Sequence, residues 1–177
     1  MNASNEYSAQ RVLIFDTGPL WEYILCVAVE KRSLTSLGQQ RHFVRKPAQF
    51  DKLQYFISEY PTRATTAHVV AEISHRIRNT KQKERERFRL WETVHSVFRE
   101  LMIVEKLVLL SEMDRQIVGR LGAIDAGLIQ LGQRYATSRK KIFIEDKHFA
   151  AECFKAKLDA VILSNLVEAE DISMYID

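Results

Sequence analysis

Four carboxylates stand at the edges of apolar segments of this chain. Asp16 follows the run VLIF and Asp146 follows IFIE, whereas Glu72 and Asp125 lie inside the helical patterns AHVVAEI and GAIDAGL. Burying an unpaired carboxylate costs free energy, and a carboxylate cluster without a dedicated basic partner is most simply neutralised by a divalent metal ion. Hard oxygen ligands suit Mg²⁺ or Mn²⁺, which bridge to phosphate oxygens. The residue types therefore predict a metal-dependent site that acts on phosphate groups.

The reaction that such a site supports is hydrolysis of a phosphodiester. One bound ion, or two ions about 3.5–4 Å apart, could lower the pKa of a bound water and stabilise the leaving oxygen. A basic stretch, RIRNTKQKERERFR at 76–89, holds seven basic residues against two acidic ones. This stretch could bind the phosphates of a polyanion, but it could also be a solvated helix face. Its candidate substrate-binding residues are Arg76, Arg78, Lys81 and Lys83.

Length and composition indicate one soluble globular domain. The chain has 177 residues, of which 46% are hydrophobic and 28% charged, and its formal net charge is +3. The apolar runs YILCVAV and LVLL are too short to span a membrane, and the first residues lack the pattern of a signal peptide. Cys26 and Cys153 are too few for a disulfide framework or a zinc motif. We therefore expect a cytoplasmic protein with a polar tail over 1–10 and a single domain over 11–177.

The elements that must position the carboxylates are strands alternating with helices. Apolar runs predict the strands, and an apolar spacing of three and four residues predicts the helices, one of which starts its apolar face at Phe88. Ser111 is the expected N-cap of the helix predicted over 112–120. The expected strands cover 11–16, 63–66, 106–110, 141–146 and 159–163, and the expected helices cover 19–29, 48–60, a segment from 67, a segment through 88–101, 112–120, a segment from 122, and 147–158.

This alternation predicts a three-layer α/β/α sandwich with a mostly parallel central sheet. In open parallel sheets, functional residues collect beyond the carboxyl ends of the strands. Asp16 and Asp146 should therefore meet at one crevice. Glu72 lies early in its helix and Asp125 lies in the first turn of its own, so both can project towards the same edge of the sheet.

The segments IFDTGPL, AEI, IDAGLI and IEDKHF resemble the motifs of the PIN-domain nucleases, and the resemblance covers about residues 11–165. By position, it implies that Asp16, Glu72, Asp125 and Asp146 form the acidic metal-binding and catalytic quartet. Asp16 and Asp146 would hold the principal metal with Asp125 as a further ligand, and Glu72 would either bind metal or orient the attacking water. Members of the family are typically endoribonucleases and frequently homodimers. Many small bacterial members are VapC-type toxins inhibited by an antitoxin protein.

The chain also departs from the family pattern. Ile144 stands where a Thr or Ser commonly precedes the last acid by two residues, and Glu145 adds a carboxylate that strand alternation should direct away from the side of Asp146. The segments 33–60 and 78–105 make the chain longer than a compact toxin. These departures leave an alternative from another class of function. The same fold would then serve as an RNA-binding or protein-interaction module with little cleavage.

Overall fold

The computed structural model describes residues 11–31, 43–80, 82–137 and 139–176. The predicted polar tail over 1–10, part of the segment 33–60, and the candidate residue Lys81 lie outside these ranges. None of the helices in the described part of the chain combines the length and the apolar character that a membrane crossing needs.

A five-stranded sheet with all strands parallel forms the centre of the described molecule. The strands are β1 (Val12–Phe15), β2 (Thr62–Thr66), β3 (Ile103–Lys106), β4 (Lys140–Ile144) and β5 (Asp159–Ile162). Their order across the sheet is β3-β2-β1-β4-β5, so β1 is central and the chain adds strands on one side of it before the other. This reversal of direction opens a crevice at the carboxyl ends of the strands on either side of it.

Helices flank both faces of the sheet, which confirms the predicted three-layer α/β/α sandwich. A short 3₁₀ turn at Leu110–Glu112 follows β3. The helices are α1 (Thr17–Glu30), α2 (Pro47–Ser58), α3 (Ala67–Asn79), α4 (Glu84–Glu100), α5 (Arg115–Leu121), α6 (Ala123–Arg134), α7 (Lys147–Lys155), α8 (Leu163–Glu168) and α9 (Ser173–Ile176).

The core explains why the two central strands could be read from the sequence. All four residues of β1 are buried, as are the last three of β4, because helices cover the sheet on both faces. The rings of Phe15 and Phe143 pack edge to face with centroids 6.1 Å apart, and Phe56 of α2 packs on Phe143 at 5.2 Å. This packing fixes the carboxyl ends of β1 and β4, which Asp16 and Asp146 follow.

Several predicted boundaries are wrong in the region after α3. The strand predicted at 106–110 lies at Ile103–Lys106. We predicted a helix from Glu112 with Ser111 as its N-cap, but this helix begins at Arg115. Asp114 is the N-cap, because its side chain accepts hydrogen bonds from the backbone N–H groups of Gln116 and Ile117. Phe88, predicted on the apolar face of its helix, is 64% exposed. The short helices α8 and α9 were not predicted.

Candidate functional site

An open crevice of about 700 Å³ lies at the carboxyl ends of the central strands. All four predicted carboxylates line it, although they come from four separate parts of the chain. The crevice is lined by Asp16, Thr17, Gly18, Phe43, Glu72, Arg76, Leu121, Gly122, Ala123, Ile124, Asp125, Glu145, Asp146, Lys147 and Phe149. The sequence-based placement of the quartet at one edge of the sheet is therefore matched by the structure.

Asp16 directly follows the fully buried β1 and is itself partly buried. Its side chain caps α1 and accepts a hydrogen bond from the backbone N–H of Thr17 at 2.6 Å. Burial raises the pKa of the Asp16 carboxyl to about 7. The hydrogen bond from Thr17 opposes that rise, whereas repulsion from Asp125 and Glu72 adds to it. The positive charge of Arg76 also lowers the pKa of Asp16, but Asp16 has no ion pair among the described residues, and a bound cation would stabilise its charged form further.

Asp125 and Asp146 reach the crevice from helix N-termini. Gly122 links α5 to α6 with φ of +87°, a conformation that glycine adopts without strain, and α6 can therefore start beside the crevice with Asp125 in its first turn. Burial raises the pKa of Asp125 to about 6, with further contributions from Asp146 and Glu72. Asp146 is exposed and caps α7, accepting a hydrogen bond from the backbone N–H of His148 at 2.7 Å.

Glu72 differs from the three aspartates because both of its oxygens have partners. Arg76, one turn further along α3, donates to Oε1 from Nη2 at 2.9 Å and from Nε at 3.2 Å. The hydroxyl of Thr17 donates to Oε2 at 2.8 Å. The expectation that the cluster has no basic partner is therefore wrong for Glu72. The reason is local, since residues four apart on a helix are neighbours.

The predicted substrate-binding residues are not brought together at the crevice. Arg76 lines it, but its guanidinium is bound to Glu72. Arg78 and Lys83 are exposed and do not line the crevice, and Lys81 is outside the described residues. The cation that sequence reasoning missed is Lys147, which lines the crevice and has no ion pair in the described part of the chain. Its position directly after Asp146 was the available signal.

Glu145 also lines the crevice, so the prediction that strand alternation directs it away from the Asp146 side is wrong. The strand β4 ends at Ile144, and the two-residue alternation does not continue beyond that point. The side chain of Glu145 lies against Gly18. A Cβ added to Gly18 would overlap the Glu145 carboxylate and would lie 2.8 Å from the Cβ of Glu145. Ile144 itself is fully buried and offers the crevice no hydroxyl.

The donor chemistry of the crevice fits a hard divalent cation. Asp16 and Asp125 carry raised pKa values in part because each lies near other carboxylates, and a bound Mg²⁺ or Mn²⁺ would relieve that repulsion. Within the described ranges, no three or more His, Cys, Asp or Glu side chains already stand together at metal-binding distance. The candidate ligands therefore share a crevice without forming a closed coordination cage.

No protein-family model matches the chain, and no curated protein matches its sequence.

Proposed function

We propose that this protein is a Mg²⁺- or Mn²⁺-dependent endoribonuclease that hydrolyses RNA phosphodiester bonds in the acidic crevice. The observation that carries this proposal is the meeting of Asp16, Glu72, Asp125 and Asp146 at one strand edge, although they are as much as 130 positions apart along the chain. Carboxylates that repel one another are retained together where a cation neutralises them. The motif resemblance to PIN-domain nucleases supports RNA as the substrate.

The three aspartates are the proposed metal ligands, with Asp16 and Asp146 holding the principal ion and Asp125 completing the set. When bound, the metal would stabilise charge on the phosphate oxygens and favour ionisation of an attacking water. The hydrogen bonds from Thr17 and Arg76 hold the Glu72 carboxylate in a fixed orientation. We assign Glu72 to orienting the water and not to binding the metal, because Arg76 already neutralises its charge, while each carboxylate oxygen keeps lone-pair capacity to accept from a water.

Lys147 is the proposed contact to a substrate phosphate. It lines the crevice beside Asp146 and carries no described ion pair, so its ammonium group can meet the RNA backbone. A phosphate contact of this kind positions the RNA and supplies no choice of sequence. Arg78 and Lys83 lie outside the crevice and would add only long-range attraction.

The resemblance extends the proposal to the setting of the protein. It suggests a cytoplasmic toxin inhibited by an antitoxin protein that blocks the crevice, and a homodimeric assembly. Co-purification with such an inhibitor and arrest of growth on expression of the nuclease alone are the expected results. Expression without any effect on growth would contradict the toxin role and leave the nuclease activity to be judged separately.

The test is cleavage of end-labelled single-stranded RNA with Mn²⁺, Mg²⁺ or EDTA. We expect internal cuts that need the metal and that fall roughly 100-fold or more in Asp16→Asn, which keeps the helix cap but removes the charge. Asp51→Asn, which removes an exposed carboxylate on α2, is the matched control and should cleave normally. Equal cleavage in EDTA would contradict the proposal. Folded protein that cuts none of several RNAs would favour the binding-module alternative.

A further inference from the structure

A half-buried aromatic side chain lines the acidic crevice. Among the described residues that line it, two are aromatic, Phe43 and Phe149. Phe149 is only 1% exposed and belongs to the core, whereas Phe43 packs against the core and remains partly exposed. Phe43 is therefore the described aromatic ring that an occupant of the crevice can reach.

Two side chains hold the backbone that carries Phe43. Oε1 of Glu22 accepts the backbone N–H groups of Phe43 and Val44, at 3.2 and 2.9 Å. Oε1 of Gln49 accepts the next two backbone N–H groups of the chain, at 2.9 and 3.0 Å. The side chain of Val44 is fully buried and fixes the segment from the inside. Four consecutive bonded amides therefore hold the ring in a preformed position, which lowers the entropy cost of binding to it.

Glu22 connects this segment to the helix that starts at the carboxylates. Its side chain is only 3% exposed, and a buried carboxylate needs hydrogen-bond donors, which the backbone of the segment supplies. Glu22 lies four residues after Gly18, so the two residues lie on the same side of α1, and Gly18 lines the crevice. The helix itself begins directly after Asp16. One helix therefore positions both Phe43 and a proposed metal ligand.

An aromatic ring in a crevice that also holds carboxylates and a lysine suits a nucleobase. Single-stranded RNA is recognised largely by stacking of its unpaired bases on aromatic side chains, and every base has a π-face. We propose that Phe43 stacks on a base of single-stranded RNA next to the phosphate bound in the crevice, and that Glu22 is the positioning residue that holds the ring in place. This inference rests on the proposed function, because that function supplies RNA as the ligand.

The first test separates stacking from core packing. Phe43→Leu keeps the apolar contact with the core but has no π-face, whereas Phe43→Tyr keeps the ring. The measurement is the affinity for an end-labelled single-stranded RNA of about eight nucleotides, by filter binding in EDTA, where binding needs no cleavage. We expect Phe43→Leu to bind at least about tenfold more weakly than the wild type, and Phe43→Tyr to bind within about twofold of it. Phe154→Leu changes an aromatic side chain that is 80% exposed outside the crevice, and this matched control should bind like the wild type.

Two further measurements assign the effect to the base and to Glu22. A ribose-phosphate chain of the same length without bases should bind equally to the wild type and to Phe43→Leu, because it offers nothing to stack. Glu22→Ala removes the acceptor of two backbone N–H groups and should weaken binding of the complete RNA, with little further loss when it is combined with Phe43→Leu. Glu22→Gln keeps an accepting oxygen and should restore most of the affinity. Circular dichroism checks that every variant is folded, and Phe43→Met, which also lacks a ring, replaces Phe43→Leu if that variant does not fold.

Equal RNA affinity of the wild type and Phe43→Leu would overturn the stacking, as would folded wild type that binds no RNA. A loss in Phe43→Leu that is just as large for the chain without bases would overturn it too, since the ring would then only support the fold. Independent, additive losses from Glu22→Ala and Phe43→Leu would contradict the positioning role of Glu22.

Cleavage in Mn²⁺ is scored separately from binding. A wild type that binds RNA through Phe43 and does not cut it would contradict the nuclease and leave the stacking in place. A wild type that cuts RNA with the same KM as Phe43→Leu would contradict the stacking and leave the nuclease in place.

Discussion

Replacing Asp16 by Asn should stabilise the metal-free protein, and the gain should grow with pH. Burial raises the pKa of Asp16 to about 7 in the folded protein, from an ordinary value of 3.8. A carboxyl whose pKa is raised by folding binds its proton more tightly in the folded state, so its stabilising effect is lost as the pH rises through the folded value. Asn keeps the oxygen that accepts the Thr17 N–H and has no charge to desolvate.

The size of the effect follows from the two pKa values. Relative to a neutral side chain, ionisation of Asp16 costs on the order of 2 kcal/mol of unfolding free energy at pH 5 and on the order of 4 kcal/mol at pH 8. The stability difference between Asp16→Asn and the wild type should therefore widen by roughly 2–3 kcal/mol over this range. Asp125→Asn should behave similarly with a smaller change, because the pKa of Asp125 is raised only to about 6.

The assay is urea unfolding in EDTA at a series of pH values, with free energies taken from a common denaturant slope. Asp51→Asn controls for the loss of one negative charge at an exposed position. A stability difference between Asp16→Asn and the wild type that stays constant from pH 5 to pH 8 would refute the idea that folding raises the pKa of Asp16. A variant that is less stable than the wild type at pH 8 would refute it as well.

Three further outcomes follow from the crevice. In filter-binding titrations in EDTA, Lys147→Ala should weaken RNA binding and should reduce the slope of log affinity against log salt concentration by about one. Arg78→Ala, which lies outside the crevice, should change the affinity much less. Gly122→Ala should lower the unfolding free energy by about 1 kcal/mol or more, measured by thermal unfolding, because φ of +87° strains any residue with a Cβ. Mn²⁺ affinity, measured by calorimetry, should fall up to about tenfold per pH unit from pH 7 to pH 6, because the metal must displace the proton that Asp16 binds, and more steeply below pH 6, where Asp125 also binds a proton.

The sequence predicted the central strands and the crevice well because their signals are local. β1 and β4 are apolar runs buried on both faces, and each is followed directly by an aspartate. The rule that parallel strands present their carboxyl ends at one edge then brought Asp16 and Asp146 together without any knowledge of packing. Glu72 and Asp125 followed from their places near helix starts.

The rest of the architecture depends on tertiary contacts that a linear pattern does not contain. The strand predicted at 106–110 was placed on apolar residues that are mostly exposed, and apolar periodicity alone cannot distinguish a buried leucine from a displayed one. Glu145 was misplaced because the end of β4 was set two residues late. Lys147 was missed because a lysine after a strand is common, and only the folded structure shows that it lines the crevice with the four carboxylates.

The central claim is that the crevice carboxylates bind a divalent metal ion, and the most direct test is titration of the purified protein with Mn²⁺ followed by electron paramagnetic resonance. The account predicts saturable binding at pH 8 that is lost or weakened at least about tenfold in Asp16→Asn and in Asp125→Asn, and that is unchanged in Asp51→Asn. Binding that is equal in all four proteins, or no binding by folded wild-type protein, would contradict it.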